Sequence, residues 1–390
     1  MKRLLWIGDA GCDSGFARVT HQILAYLRLD WEISVLGVNY RGDPHSYPYD
    51  LYPAIVFGCR DFFGVSRLPE LLPRINPDLI FIQNDPWNFE RYTSVIRQMS
   101  SEVPIVGMVA IDGKNCLGSA MNDLALTIFW TKFGQCEALK SGFEGNSVVI
   151  PLGIDLDTYS PGDRRKAREN LGLPAEFSDV YIVGSVGRNQ PRKRIDLTLE
   201  YFAEWIRNFQ IDNAYLYLHV SPTGDVGYDI IQLSKYYGIN KRLIRADPGV
   251  WQGSSEQEMA DTYRSFDVQI TTTHGEGWGL TTMEGMACGI PQIVPDWSAL
   301  GEWTQNAVWK IPCYICNPRF GPFNPIGGTP DKALTIEALN AFYCDRELGH
   351  EYSASGLSLV QQDQFRWSTI GMQILQELRS VSEQTSMAQV

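Results

Sequence analysis

The chain has 390 residues, enough for two domains of ordinary size, each able to bury a core. Hydrophobic residues at 44% and charged residues at 20% describe a soluble globular protein, and no apolar run is long enough to span a bilayer. A net charge of −12, from 33 basic against 45 acidic residues, argues against wide binding to a nucleic-acid backbone.

Taken in order, Arg3-Leu-Leu-Trp-Ile7 reads as a short strand and Gly8-Asp-Ala-Gly-Cys-Asp-Ser-Gly15 as a loop. Phe16, Val19, Ile23 and Leu27 then mark the buried face of a helix. The opening strand carries no cleavage-site pattern, so no signal peptide is expected. A glycine loop between first strand and first helix is the phosphate position of Rossmann-type sheets, though this spacing is not the dinucleotide fingerprint. Further strands are expected near 32–38, 78–83, 105–110, 125–129 and 147–150. A second series follows near 180–186, 214–220, 242–246, 268–272, 291–294 and 307–311. Helical periodicity separates most of them, which predicts parallel sheets with ligands at the carboxyl ends of the strands.

Two segments of the second half carry chemistry. Gly187-Arg-Asn-Gln-Pro-Arg-Lys-Arg194 follows a strand and holds four basic residues, more than a solvated turn explains. Arg grips a phosphate bidentately, and Lys supplies a compact charge. Downstream, Val268-Gln-Ile-Thr-Thr reads as a buried strand leading into Gly275-Glu-Gly-Trp-Gly279, and Thr281 to Ala287 as a helix closed by Gly289 and Pro291. Glu276 and Glu284 thereby flank a glycine loop and a helix N-terminus, a setting for a ligand with phosphates at one end and hydroxyls at both sides. His274 reads as strand-end packing. The segment 312–330, with Tyr314, Phe320 and Phe323, is longer than a plain connection and reads as an acceptor loop or a surface excursion. Of eight cysteines only Cys313 and Cys316 stand close, and no second pair completes a zinc set, so reduced thiols and a cytoplasmic location are expected.

The spacing from Glu276 to Glu284 resembles the Glu-x7-Glu signature of retaining glycosyltransferases, and most closely glycosyltransferase family 4, with similarity running over roughly residues 1–380. That resemblance implies an α/β GT-B fold, two Rossmann-like domains facing a central cleft. Residues 1–152 would form the acceptor-side domain, completed by a helix at 365–380, and 153–364 the nucleotide-sugar-binding domain. The polar tail 381–390 is expected to fray. In the family the first Glu lies beside the donor sugar's hydroxyls and the second binds the ribose, which gives these roles to Glu276 and Glu284. Arg188 and Lys193 match the Arg and Lys that reach the donor diphosphate. Arg192 and Arg194 match no family position and read as surface charge. Gly15 is nearest in the loop that closes over the donor phosphates, and the N–H groups after Gly279, at Leu280 and Thr281, are expected to meet the same diphosphate. Many members carry a His after the fourth strand, where this chain has Ala110-Ile-Asp112-Gly-Lys114; Asp112 either takes that hydrogen bond or caps the loop. Pro151 to Pro161 resembles the interdomain linker, so Asp155 and Asp157 read as linker, not as Mg²⁺ ligands.

The implied activity is retaining transfer of a sugar from a nucleotide diphosphate sugar, UDP being the family's commonest nucleotide, to an acceptor hydroxyl. Neither metal nor cofactor is expected. The acceptor stays open among a glycan, a small molecule and a modified DNA base; Arg41, Arg60, Arg67, Arg74, Arg91 and Lys114 lie in the acceptor half. A sugar-nucleotide epimerase or hydrolase on the same fold stays open too, with Asp9, Asp13 and Asp112 as its acids.

Overall fold

The computed structural model describes residues 1–12, 14–58, 61–99, 102–220, 226–246, 253–319 and 324–388. Asp13, Arg60, Phe320 and Phe323 lie outside them. Two compact units divide the chain, one holding 1–153, Asn324 and 363–388, the other 154–319 and 325–362.

The strands of the first unit are β1 (Lys2–Asp9), β2 (Trp31–Val38), β3 (Asp50–Pro53), β4 (Leu79–Asn84), β5 (Ile105–Val109), β6 (Leu126–Phe129) and β7 (Ser147–Val149). They form one parallel sheet in the order β3-β2-β1-β4-β5-β6-β7. Leu4, Leu5, Trp6 and Ile7 are all fully buried, as a strand covered by helices on both faces requires. The sequence pattern showed no strand at Asp50–Pro53; its Asp and Pro are tolerated because β3 sits at the sheet edge. The helix Gly15–Leu27 buries Val19, Ile23 and Leu27. Against it packs the last helix, Trp367–Ala388, where a Cβ on Gly371 would meet the Tyr26 ring at 2.3 Å. This helix runs past Ser380, so the expected frayed tail is corrected. Val381 and Ser382 are buried, and Lys2 Nζ donates to Ser382 Oγ at 2.5 Å. Burial of Val381 and the Lys2 bond to Ser382 hold the start of that stretch against its polar composition.

In the second unit β8 (Tyr181–Val186), β9 (Ala214–His219), β10 (Leu243–Ala246), β11 (Val268–Ile270), β12 (Gln292–Pro295) and β13 (Trp309–Ile311) form a parallel sheet ordered β10-β9-β8-β11-β12-β13. Its strand order reverses between β8 and β11, the place where open α/β sheets leave a crevice for a ligand. Within 312–330, β14 (Ile315–Pro318) and β15 (Ile326–Thr329) pair as an antiparallel hairpin. Away from the crevice, buried Arg168 donates to the carbonyls of Ser265, Phe177, Ser178 and Val180 and to Asp267 Oδ2. Asp155 accepts from the Asp157 N–H at 3.0 Å and the Thr158 hydroxyl at 2.7 Å, so its carboxylate closes the turn in which it lies. Among the described residues no helix is long and apolar enough to cross a membrane.

Candidate active site

Both chemistry-bearing segments of the second unit leave the sheet at the reversal point. Residues 187–194 follow the carboxyl end of β8, and 271–279 follow that of β11. Asn189 pins the first loop, accepting from the Tyr228 N–H at 2.9 Å and donating to the Tyr228 carbonyl at 2.8 Å. Its neighbour Arg188 is exposed. The two loops are then stitched together: the Arg192 carbonyl accepts from the His274 N–H at 2.8 Å and from Thr273 Oγ1 at 3.2 Å.

Glu276 lies at the centre. It is only 7% exposed, its N–H donates to Ser298 Oγ at 3.0 Å, and each carboxylate oxygen faces a different cation. Lys193 Nζ donates to Oε1 at 2.5 Å, and Arg192 donates to Oε2 at 3.1 Å and to the Gly275 carbonyl at 3.0 Å. Burial alone would raise this carboxyl; Lys193 and Arg192 together outweigh it and hold the group at about 2. Arg194 makes a separate pair with Asp196 at 2.9 Å and donates to His274 Nε2 at 2.6 Å. Burial, with Arg194 and Arg319 nearby, pulls His274 down to about 4, so the ring is neutral and its Nε2 accepts. The reading of Arg192 and Arg194 as surface charge is therefore corrected: their partners, Glu276 and His274, lie some 80 residues downstream. Nothing in the local pattern of the basic loop announces that pairing.

The glycine loop ends at Gly279, which caps the helix Leu280–Ala287 in the left-handed region at φ 95°. A Cβ there would also meet Leu300 Cδ2 at 2.5 Å, so both conformation and space call for glycine. No side chain caps this helix start, which leaves first-turn N–H groups, Leu280 and Thr281 among them, directed out of the helix. Gly285 lets the helix settle onto β11 and β12, since a Cβ would meet Gln269 Oε1 at 2.2 Å. Glu284, one turn in, is 2% exposed and accepts from the Tyr263 hydroxyl at 2.5 Å. Tyr263 is a site residue that sequence reasoning missed; it lies on another helix, Glu256–Arg264. His274 is further tied to the hairpin, accepting from Thr329 Oγ1 at 3.1 Å, while its carbonyl accepts from the Gly328 N–H at 3.0 Å. Arg194 and Ser298 both hold positive φ, 51° each, a strain that collects where a site is over-determined.

The structure thus brings Glu276 and Lys193 into contact, with Arg188, Gly279, Leu280, Thr281 and Glu284 on the same two segments. Gly15 and Asp112 belong to the first unit. Gly15 is the first residue of its helix, behind Ser14, which accepts from the Ala17 N–H at 3.0 Å and donates to Asp9 Oδ2 at 2.6 Å. Asp112 is half-buried just past the carboxyl end of β5.

The family model for glycosyl transferases group 1 matches residues 167–311, all within the second unit. A D-inositol 3-phosphate glycosyltransferase of Geodermatophilus obscurus is 35% identical over 152 residues, 38% of this chain and 32% of that protein. One from Mycobacterium tuberculosis strain F11 is 32% identical over 148 residues, 37% of this chain and 28% of that protein. The matched stretch thus spans about a third of the length of these relatives. Among solved structures, sucrose-phosphate synthase from Thermosynechococcus elongatus is similar with a TM-score of 0.75 at 17% identity, covering 98% of this chain and 99% of that one. Anabaena HepE in complex with UDP-glucose gives 0.74 at 16% identity, covering 97% and 100%. Those likenesses extend over both units and are likenesses of fold, whereas the family-model match is confined to the second. The chain has the GT-B fold, and its residues 167–311 match the family model for glycosyl transferases group 1.

Proposed function

We propose that this protein is a retaining glycosyltransferase that moves a sugar from a UDP-sugar to an acceptor hydroxyl, without a metal. The observation that carries the reading is the buried Glu276 carboxylate, held ionised by Lys193 and Arg192 at the reversal point of the second sheet. Breaking the anomeric C–O bond leaves negative charge on the diphosphate. Arg188, Lys193 and the N–H groups of Leu280 and Thr281 stabilise that charge, preorganised electrostatics worth several kcal/mol. Glu284 takes the ribose hydroxyls and Glu276 those of the sugar. Gly15 and Asp112 carry over from the family resemblance, as the phosphate loop and as a hydrogen-bonding partner of the sugar. The acceptor oxygen bonds to the anomeric carbon on the face the phosphate leaves, and its proton passes to the departing phosphate oxygen.

The complex of Anabaena HepE with UDP-glucose favours a UDP-sugar donor. Inositol phosphate, in the names of the relatives, is one acceptor to try. It carries little weight here, because the group 1 match lies in the unit that would hold the donor. A modified DNA base gains no support from three of the six cations in the acceptor half. Arg67 is committed to the Pro53 carbonyl at 2.7 Å, Arg74 lies over the Tyr52 ring at 5.4 Å, and Arg91 over that of Phe63 at 5.2 Å.

The test is a thermal-shift screen of nucleotide diphosphate sugars, followed by release of nucleoside diphosphate from the best stabiliser and proton NMR of the product anomer. UDP-sugars should stabilise most, and the product should keep the donor's anomeric configuration. Absence of stabilisation by every nucleotide sugar refutes the reading. An isomerised donor or free sugar as sole product supports the epimerase or hydrolase instead.

A further inference from the structure

We propose that Arg192 is the positioning residue that keeps the Glu276 carboxylate in place when the donor diphosphate engages Lys193. The inference rests on the transferase reading above. The two oxygens of Glu276 are divided between two cations, Lys193 at 2.5 Å and Arg192 at 3.1 Å. A phosphate on Lys193 competes with Glu276 for that charge, and a carboxylate this buried needs a charged partner to stay ionised. Arg192 supplies one that the phosphate does not claim. Its guanidinium is also bonded to the Gly275 carbonyl and its own carbonyl to the 273–274 segment, so it moves with the Glu276 loop. Lys193 carries a compact charge on a flexible four-carbon stem and can turn toward an incoming anion. Donor binding then converts a three-membered cluster into two pairs, Lys193 with phosphate and Arg192 with Glu276.

The charged groups around Glu276 are Arg192 and Lys193 from the basic loop, with Arg194 bonded to both Asp196 and His274 beside them. Arg319 leads from the hairpin, and Asp296 and Glu302 lie on the segment that packs on the Glu276 backbone through Ser298. Because His274 also titrates in acid, the readout must be the carboxyl itself. Protein labelled with ¹³C at the Glu carboxyl carbons is titrated with and without saturating UDP, the Glu276 signal being assigned by its loss in Glu276→Gln. With UDP bound, Arg192→Ala should raise the Glu276 titration by at least about one pH unit, and Arg192→Lys should restore much of it. In turnover, Arg192→Ala should lose roughly 100-fold in kcat while the donor KM and UDP affinity move by less than about threefold. Arg192→Gln, which keeps a donor without the charge, serves if the alanine variant misfolds.

An unshifted Glu276 titration in the UDP complex overturns the proposal. A loss of UDP affinity matching the loss of kcat does so as well, by placing Arg192 on the phosphate. If the wild type binds UDP but transfers no sugar from any donor, the transferase reading fails, while the titration still decides whether Arg192 holds Glu276.

Discussion

Removing one oxygen atom, in Tyr263→Phe, tests the assignment of Glu284 more sharply than truncating Glu284 itself. The Tyr263 hydroxyl donates to Glu284 Oε2 at 2.5 Å, with the tyrosine fully buried and the glutamate 2% exposed. The ring's apolar contacts survive the substitution, since Phe266 and Tyr159 meet it edge-on at centroid distances of 6.3 and 6.1 Å. What is lost is a hydrogen bond to a buried carboxyl oxygen, worth about 1–3 kcal/mol. Wild type, Tyr263→Phe, Glu284→Gln and the double variant form a cycle, measured by urea melts of the transition that UDP stabilises. A coupling energy of about 1–2 kcal/mol is expected between the two positions. Because the same bond sets the carboxylate's direction, UDP affinity by calorimetry should fall by about three- to tenfold in Tyr263→Phe. Additive single effects, or a Tyr263→Phe protein within about 0.5 kcal/mol of wild type, would refute the claim that this tyrosine orients Glu284.

Arg188→Ala and Lys193→Ala should each lose on the order of 2–4 kcal/mol of transition-state stabilisation with little change in melting temperature; near-wild-type turnover in both removes them from the diphosphate. Activity should survive EDTA, and loss on chelation restored by Mg²⁺ or Mn²⁺ would overturn the metal-free reading. Arg168→Met should cost about 3–5 kcal/mol of stability, because four backbone carbonyls and Asp267 lose a donor together; a melt within 1 °C of wild type, roughly a negligible change, counts against that network. Acid should destabilise the fold in two stages. Burial, the dominant cause, pulls His219 and His274 from 6.5 to about 4, so the unfolded chain binds more protons and stability falls as pH drops between those values. Glu276, held at about 2 against 4.5, adds a loss between those two values, and replacing it by Gln should remove the second stage from a stability-against-pH curve.

Sequence alone located both sheets, because apolar runs bounded by glycine and proline are local signals: the reading at 180–186 became β8 at Tyr181–Val186, and that at 214–220 became β9 at Ala214–His219. The same locality made the helix after Gly279 legible, since only a glycine accepts its φ of 95° against Leu300. Helices between the strands implied parallel sheets and placed Arg188 and Glu276 at strand carboxyl ends, while the strand order, and with it the reversal point, came only from the structure. Local pattern failed where a neighbour distant in sequence supplied the stabilisation. Asp50–Pro53 is a strand only because β2 offers it a paired edge. The residues past Ser380 stay helical because Val381 and Ser382 are buried. Arg192 and Arg194 look like solvated charges in the chain and become site residues only when β8 and β11 lie side by side in the sheet. Tyr263 and Glu284 are likewise joined by packing of one helix on another. Which side chains can carry charge is written in the sequence; which charges meet depends on desolvation and distance, and those exist only once the sheet has formed.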